Sequence, residues 1–307
     1  MDHKVEIIVV GEILVDLIGH EIREEIFRTH SFRRFQGGSP ANLAANLCRL
    51  GKKVHLVASV GNDGLGQYLV KELESLKLDT TGIHFRATAP TSLVLLSRSH
   101  GTPDFIAYRE ADRLIYPEDI TSDHLRKAKI YHTTCFALSK QPAQHAILNG
   151  AKRARDFDVQ LSIDLNYAPA IWPDHEEALQ VIKEYCLLNP LVKVSRDDCE
   201  RIFEKKISEE NAIQQILGWG AKLVCFTKGK EGSHLVAASG ENILLSAASI
   251  PILGDATGAG DAFWSGFLAA YLDGKNYQIA LEDASKMAAL KLSTDGPLPE
   301  KIKLEET

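Results

Sequence analysis

The stretch GDATGAGDAF, residues 254–263, sets three glycines and two aspartates directly before the apolar run FWSGFLAAYL. Gly258, Ala259 and Gly260 precede a helix expected to begin near Asp261. The first turn of a helix carries N–H groups without intrahelical partners and a partial positive charge. Small residues at that entrance let an anion, commonly phosphate, approach the backbone. Asp261 then has two open roles. It can cap the helix, which is the usual job of an isolated aspartate. It can instead be a base beside the anion hole, taking the proton from a hydroxyl that attacks a phosphoryl group. A plain helix start needs one cap, so the density of the motif favours the base.

A second segment, FQGGSPANLAANLCRLG at 35–51, closes a strand-like run with Gly37 and Gly38 and opens a helix at Pro40. Asn42 falls on its first turn, where it can be solvated or can bind hydroxyls of a small polyol. A third acid, Asp16 in GEILVDLIG, sits in a run so apolar that it needs a partner, a ligand or an edge open to solvent. The P-loop pattern GxxxxGK[ST] is absent, and GxGxxG does not follow the first strand. There is no HExxH, and HEEAL at His175 is only superficially like one.

Alternating elements must position these residues. Strand candidates lie at 6–18, 54–61, 129–134, 160–166, 192–195 and 222–229. Several are apolar on successive residues, as strands buried on both faces of a parallel sheet are. PANLAANLCRL, GLGQYLVKELESL, AQHAILNGAKRARDF, ALQVIKEYC and ENAIQQILGWG read as helices between them. This predicts a three-layer α/β fold with a mostly parallel central sheet and helices on both faces. TSLVLLSRSHGTPDFIAYREADR, 91–113, breaks the rhythm as an inserted β-hairpin, and 233–248 holds a second extended pair. Each is either an edge decoration or a lid over the carboxyl ends of the strands, where open α/β sheets bind ligands.

The chain has 307 residues, 45% apolar and 25% charged, which is ordinary globular composition. A net charge of −6 without a basic block argues against nucleic acid. No apolar run approaches the roughly 18 residues that span a bilayer, so no membrane is expected. MDHKVEIIVVGE reads as a first strand rather than a signal peptide, which predicts a cytoplasmic protein. Five scattered cysteines without CxxC spacing read as buried free thiols.

Together these segments resemble the ribokinase-like, or PfkB, carbohydrate kinases. GGSPANLAANLCRLG matches the family's N-terminal signature and DATGAGDAFWSGFL its C-terminal one, and the likeness runs over essentially the whole chain. The resemblance implies a single domain, 1–307, with a small β lid built from about 12–18, 31–37 and 91–113. It implies an ATP- and Mg2+-dependent kinase acting on a primary hydroxyl of a sugar. Asp261 would be the base, and Gly258, Ala259 and Gly260 the anion hole. Asp16, Gly37, Gly38, Asn42, Asn166 and, from the lid, Arg109 would hold the sugar. Ser195, Thr227, Gly229, Gly232 and Lys291 would line the nucleotide. Asp198 would reach magnesium through water. Asp255 and Thr257 fall where some members bind a monovalent cation such as K+. Lids of this family often pair between two chains, which implies a homodimer.

The pattern is broken in three places. The family's NxxE reads Ser195-Arg196-Asp197-Asp198, so the last charge sits on a shorter arm. DPNxR reads Asp164-Leu165-Asn166-Tyr167-Ala168 and lacks its arginine. Ala256 replaces a usual threonine. The Ala256 change is expected to be mild, but the departures at Ser195, Asp198 and Ala168 keep open a sugar-binding regulator that has lost catalysis, although an intact Asp261 argues for turnover. A dehydrogenase is disfavoured by the missing GxGxxG. GEILVDLIG, GGSPANLA, IWPD and KVS look most like the fructokinase branch, with ketodeoxygluconate or nucleoside kinases as alternatives.

Overall fold

The computed structural model describes residues 5–23, 25–98, 104–248, 257–294 and 298–304. Its strands are β1 Ile7–Val10, β2 Leu14–Ile22, β3 Phe32–Gly37, β4 Val54–Gly61, β5 Ile83–Arg86, β6 Leu93–Arg98, β7 Phe105–Tyr108, β8 Ile130–Thr134, β9 Gln160–Asp164, β10 Leu191–Ser195, β11 Leu223–Thr227, β12 Ser233–Ala237 and β13 Asn242–Leu245. Its α-helices are α1 Ser39–Arg49, α2 Gly64–Ser75, α3 Ser122–Lys127, α4 Ala143–Asp156, α5 His175–Cys186, α6 Arg196–Ile202, α7 Glu209–Gly218, α8 Ala259–Leu272 and α9 Tyr277–Ser293.

The central sheet runs β13-β12-β11-β10-β9-β8-β1-β4-β5. It is parallel from β5 to β11, and β12 and β13 add an antiparallel edge. The extended pair at 233–248 is therefore edge decoration of this sheet. Alternation explains the apolar runs. In β1, Ile8 and Val10 join a core shared with α4, α5, α6 and α7. Ile7 and Val9 face the other way, into a core shared with α1, α2, α8 and α9. A strand with helices on both sides has no face left for polar residues.

β3-β2-β6-β7 form a separate, smaller sheet. The single strand expected at 6–18 is thus two strands in two sheets. The chain bends at residues 11–13 because Gly11 is pressed against α1, where a β-carbon would lie 2.6 Å from Pro40 Cγ. The expected turn HGTPD falls largely on 99–103, outside the described residues. β5, only four residues long, has no strong apolar run and was not foreseen. No helix among the described residues is long and apolar enough to cross a membrane. All five cysteines are free, and all but Cys48 are buried.

Candidate active site

The carboxyl ends of the parallel strands gather the polar residues. Glu12 follows β1, Thr134 ends β8, Asp164 ends β9, Ser195 ends β10 and Thr227 ends β11. Most are buried or half-buried, and each is satisfied by partners from other elements.

α8 begins at Ala259, two residues before the expected start, with Gly258 as its cap in the left-handed conformation (φ 78°). Asp261 therefore lies inside the first turn and makes no cap bond. Its carboxylate crosses to α1 instead. Ser39 Oγ donates to Oδ1 at 2.6 Å, and Asn42 Nδ2 donates to Oδ2 at 2.9 Å. Asn42 is oriented in turn by Gln36, whose Nε2 donates to its Oδ1 at 2.9 Å. Burial pushes the Asp261 carboxyl up to about 6, and nearby Asp164 pushes the same way. Ser39, Asn42 and the ammonium of Lys193 pull it down.

The helix entrance is open and flanked by cations. A β-carbon on Gly260 would come within 3.2 Å of Lys193 Nζ, and one on Gly258 within 3.6 Å of Lys291 Cε. Unpartnered N–H groups, glycine access and two ammoniums fit a phosphate. Lys193 is buried and bonded to both oxygens of Asp164, at 2.9 and 2.7 Å. It was not foreseen, although a lone lysine in the apolar run VKVS was the signal.

Asp16 packs against the double glycine. A β-carbon on Gly37 would fall 2.3 Å from the Asp16 carboxyl carbon, and one on Gly38 2.4 Å from Glu12 O. Gly37 at the end of β3 leaves room for the Asp16 side chain, and Gly38 lets the start of α1 approach the segment between β1 and β2. Arg109 is placed differently from the expectation. It follows β7, but its guanidinium turns into the body rather than reaching out from the lid. Nε donates to Asp112 Oδ2 at 2.7 Å, and Nη1 donates to Phe136 O and Ser139 Oγ at 3.0 and 2.6 Å. A buried guanidinium requires such acceptors, so it cannot remain a free arm. Asn166 braces the same loop, its Oδ1 accepting from Phe136 N at 3.1 Å.

Glu12 was also missed. It is 2% exposed, and burial pushes its carboxyl up to about 8 against the pull of Arg109. It sits in GEILVDLIG four residues before Asp16, and the reasoning applied to Asp16 holds for it too.

At the ends of β10 and β11, Ser195 and Thr227 are register neighbours. Ser195 Oγ donates to Asp198 Oδ2 at 2.5 Å and accepts from Asp198 N at 3.1 Å, a capping box for α6. Burial, with Asp164, pushes Asp198 up to about 6 while Lys193 and Ser195 oppose. Gly229 has open space where a side chain would be. At Gly232 a β-carbon would lie 2.0 Å from Leu245 O, so close backbone packing against β13 already accounts for this glycine. Thr257 is exposed just before α8. Asp255 lies outside the described residues, so the pair cannot be read together. Among the described residues no cluster of three or more His, Cys, Asp or Glu could hold a metal ion by itself.

The pfkB family carbohydrate kinase profile matches residues 4–301. The chain belongs to this family. It is 34% identical over 297 residues to an ATP-dependent 6-phosphofructokinase of Thermoanaerobacterium thermosaccharolyticum, covering 97% of this chain and 91% of the relative. It is 27% identical to a 5-dehydro-2-deoxygluconokinase of Listeria innocua, over 95% and 91% of the two chains. The solved fructokinase of Halothermothrix orenii superposes with a TM-score of 0.82 at 33% identity, covering 95% of this chain and 99% of that one. A sugar kinase on the ribokinase-like fold is therefore established; its sugar is a separate question.

Proposed function

We propose that this pfkB kinase transfers the γ-phosphoryl group of ATP to a primary hydroxyl of fructose. The observation that carries the reading is Asp261, held by two neutral donors beside an open helix entrance flanked by Lys193 and Lys291. Asp261 takes the proton from the acceptor hydroxyl as it attacks. The first-turn N–H groups of α8 and the two ammoniums stabilise charge on the transferring group. Asp16, Asn42 and the backbone at Gly37 and Gly38 hold sugar hydroxyls. Arg109 and Asn166 shape the pocket floor through the loop at Phe136.

Thr227 and Gly229 offer hydroxyl and backbone donors to the nucleotide phosphates, and Ser195, whose own donors go to Asp198, lines that end of the site. Mg2+ usually keeps several waters and is held by one or two carboxylates plus phosphates. Asp198 beside Asp164 fits that donor set without a protein cage. When bound, the ion supplies charge neutralisation on the phosphates. Thr257, with Asp255, is the candidate place for K+. The small sheet closes over the sugar as a lid and excludes water. Its exposed Phe35, Ile106 and Tyr108 support a homodimer through that sheet.

Fructose 6-phosphate is the second reading, favoured by the 34% identical relative. Against it, the Arg109 guanidinium that would have to meet the phosphate is already paired with Asp112. The test is ADP release with Mg2+-ATP against fructose, fructose 6-phosphate, 5-dehydro-2-deoxygluconate and ribose, with Asp261→Asn beside the wild type. Turnover highest on fructose and lost in the variant supports the proposal. Preference for the phosphorylated sugar transfers the assignment to the second reading. Sugar binding without turnover on any member would leave a binding protein instead.

A further inference from the structure

We propose that Ser39, held in place by Glu12, is a positioning residue that orients the Asp261 base and sets its proton affinity. This rests on the reading of Asp261 as the base.

Asp261 makes no cap bond within its own helix, whose cap is a glycine without a side chain. Its geometry is imposed from α1. One oxygen takes Ser39 Oγ at 2.6 Å and the other takes Asn42 Nδ2 at 2.9 Å. An ionised carboxylate has about four acceptor positions, so these donors leave one or more on each oxygen for an incoming hydroxyl.

The two donors are supported differently. Asn42 is fixed through its amide by Gln36. Ser39 is fixed through its backbone. It is the first residue of α1, whose cap Gly38 also lacks a side chain. Glu12 takes that missing role from the segment between β1 and β2. Its Oε1 accepts from Ser39 N at 3.2 Å, and its Oε2 accepts from Thr134 Oγ1 at 3.1 Å. Thr134 Oγ1 accepts in turn from Ala137 N at 3.0 Å. A run of hydrogen bonds thus ties the end of β8 through the end of β1 to the hydroxyl on Asp261. A serine at the start of a helix commonly bonds its own backbone; this one spends its hydroxyl on a different helix.

The groups facing Asp261 are Ser39 and Asn42 from α1, Lys193 from β10 and Asp164 from β9. Ser39 and Asn42 favour the ionised form and oppose burial, leaving the carboxyl at about 6. At neutral pH the base is then mostly ionised yet basic enough to accept a proton. Without the Ser39 hydroxyl the protonated form gains, and the acid limb of turnover must move to higher pH.

The test is kcat from pH 5 to 9 for wild type, Ser39→Ala and Ser39→Thr, with saturating Mg2+-ATP and the best sugar. A charge-assisted hydrogen bond corresponds to about one pH unit here. Ser39→Ala is expected to lose about fivefold in kcat at pH 6 and little at pH 8, with the sugar KM nearly unchanged. Ser39→Thr keeps the hydroxyl and is expected to restore the wild-type limb. Should Ser39→Ala fail to fold, Ser39→Cys replaces it, since a thiol is a poor donor and moves the limb the same way. A wild-type limb in Ser39→Ala or Ser39→Cys, alongside an inactive Asp261→Asn, would overturn this proposal and leave the base standing. A fully active Asp261→Asn would remove the base, and this proposal with it.

Discussion

Asp261 and Asp198 occupy the same position in two helices, the third residue after the cap. Both stand near the carboxyl ends of the sheet, and burial pushes both carboxyls up to about 6. Their surroundings differ in one residue. α6 is capped by Ser195, and Asp198 turns back to it in a closed box. α8 is capped by Gly258, which offers no side chain, and Asp261 turns outward to Ser39 and Asn42. The cap decides whom the acid serves. With a serine at the cap the acid closes a box on its own helix; with glycine there the acid bonds another helix, and in our proposal the N–H groups meet an anion. The same local chemistry closes on its own cap in one helix and reaches across to α1 in the other, where we propose the reactive acid.

The largest expected effect breaks the symmetry outright. Asp261→Asn keeps the shape and removes the proposed base, so kcat should fall by about 10²–10⁴. Stability should move the opposite way. An acid raised above its ordinary value contributes stability below its unfolded pKa and loses it as pH rises through the folded one, here from about 4 to about 6. The asparagine cannot ionise and escapes that loss. Its melting temperature relative to wild type should therefore rise between pH 4 and pH 7. A flat difference would mean that Asp261 is not desolvated as described.

A smaller effect separates the two acids by titration. Wild-type kcat should fall about tenfold per unit below pH 6, as one base is protonated. Both acids titrate in that range, so the limb alone does not say which is read. Asp198→Asn resolves it. The limb should persist there, with turnover lowered modestly and recovered by added Mg2+. Disappearance of the limb would exchange the roles of the two helices.

Much of this arrangement was legible in the chain. Strands buried on both faces write themselves as unbroken apolar runs, and a glycine-rich helix entrance with an acid is a local pattern. What stayed hidden depended on contacts between distant segments. Ser39 looks like an ordinary helix start until α1 and α8, more than 200 residues apart, are packed together. Glu12 and Lys193 are single charges inside apolar runs, and only the fold supplies the partners that make them tolerable. The split of 6–18 into β1 and β2 was equally invisible, because apolar residues continue on both sides of Gly11 and Glu12. The bend at Gly11 comes from Pro40 pressing on it, not from a local turn signal.

The smallest effect sharpens the comparison most. Ser195→Ala and Ser39→Ala each delete one hydroxyl that bonds an aspartate of about the same proton affinity. If the cap assigns each acid its task, the two deletions must read out differently. Ser195→Ala removes an N-cap and should cost about 1 kcal/mol in urea unfolding. Its acid limb of kcat should stay where the wild type has it, because Asp198 takes no proton from substrate. Ser39→Ala removes no cap, since Gly38 holds that position. It should unfold near the wild-type midpoint while its limb moves. Stability loss without a pH shift in the first, and a pH shift with little stability loss in the second, is the crossed result that the two helix starts require. A parallel response would mean that the hydroxyls do one job in both places, and that the glycine at 258 serves only the turn it makes.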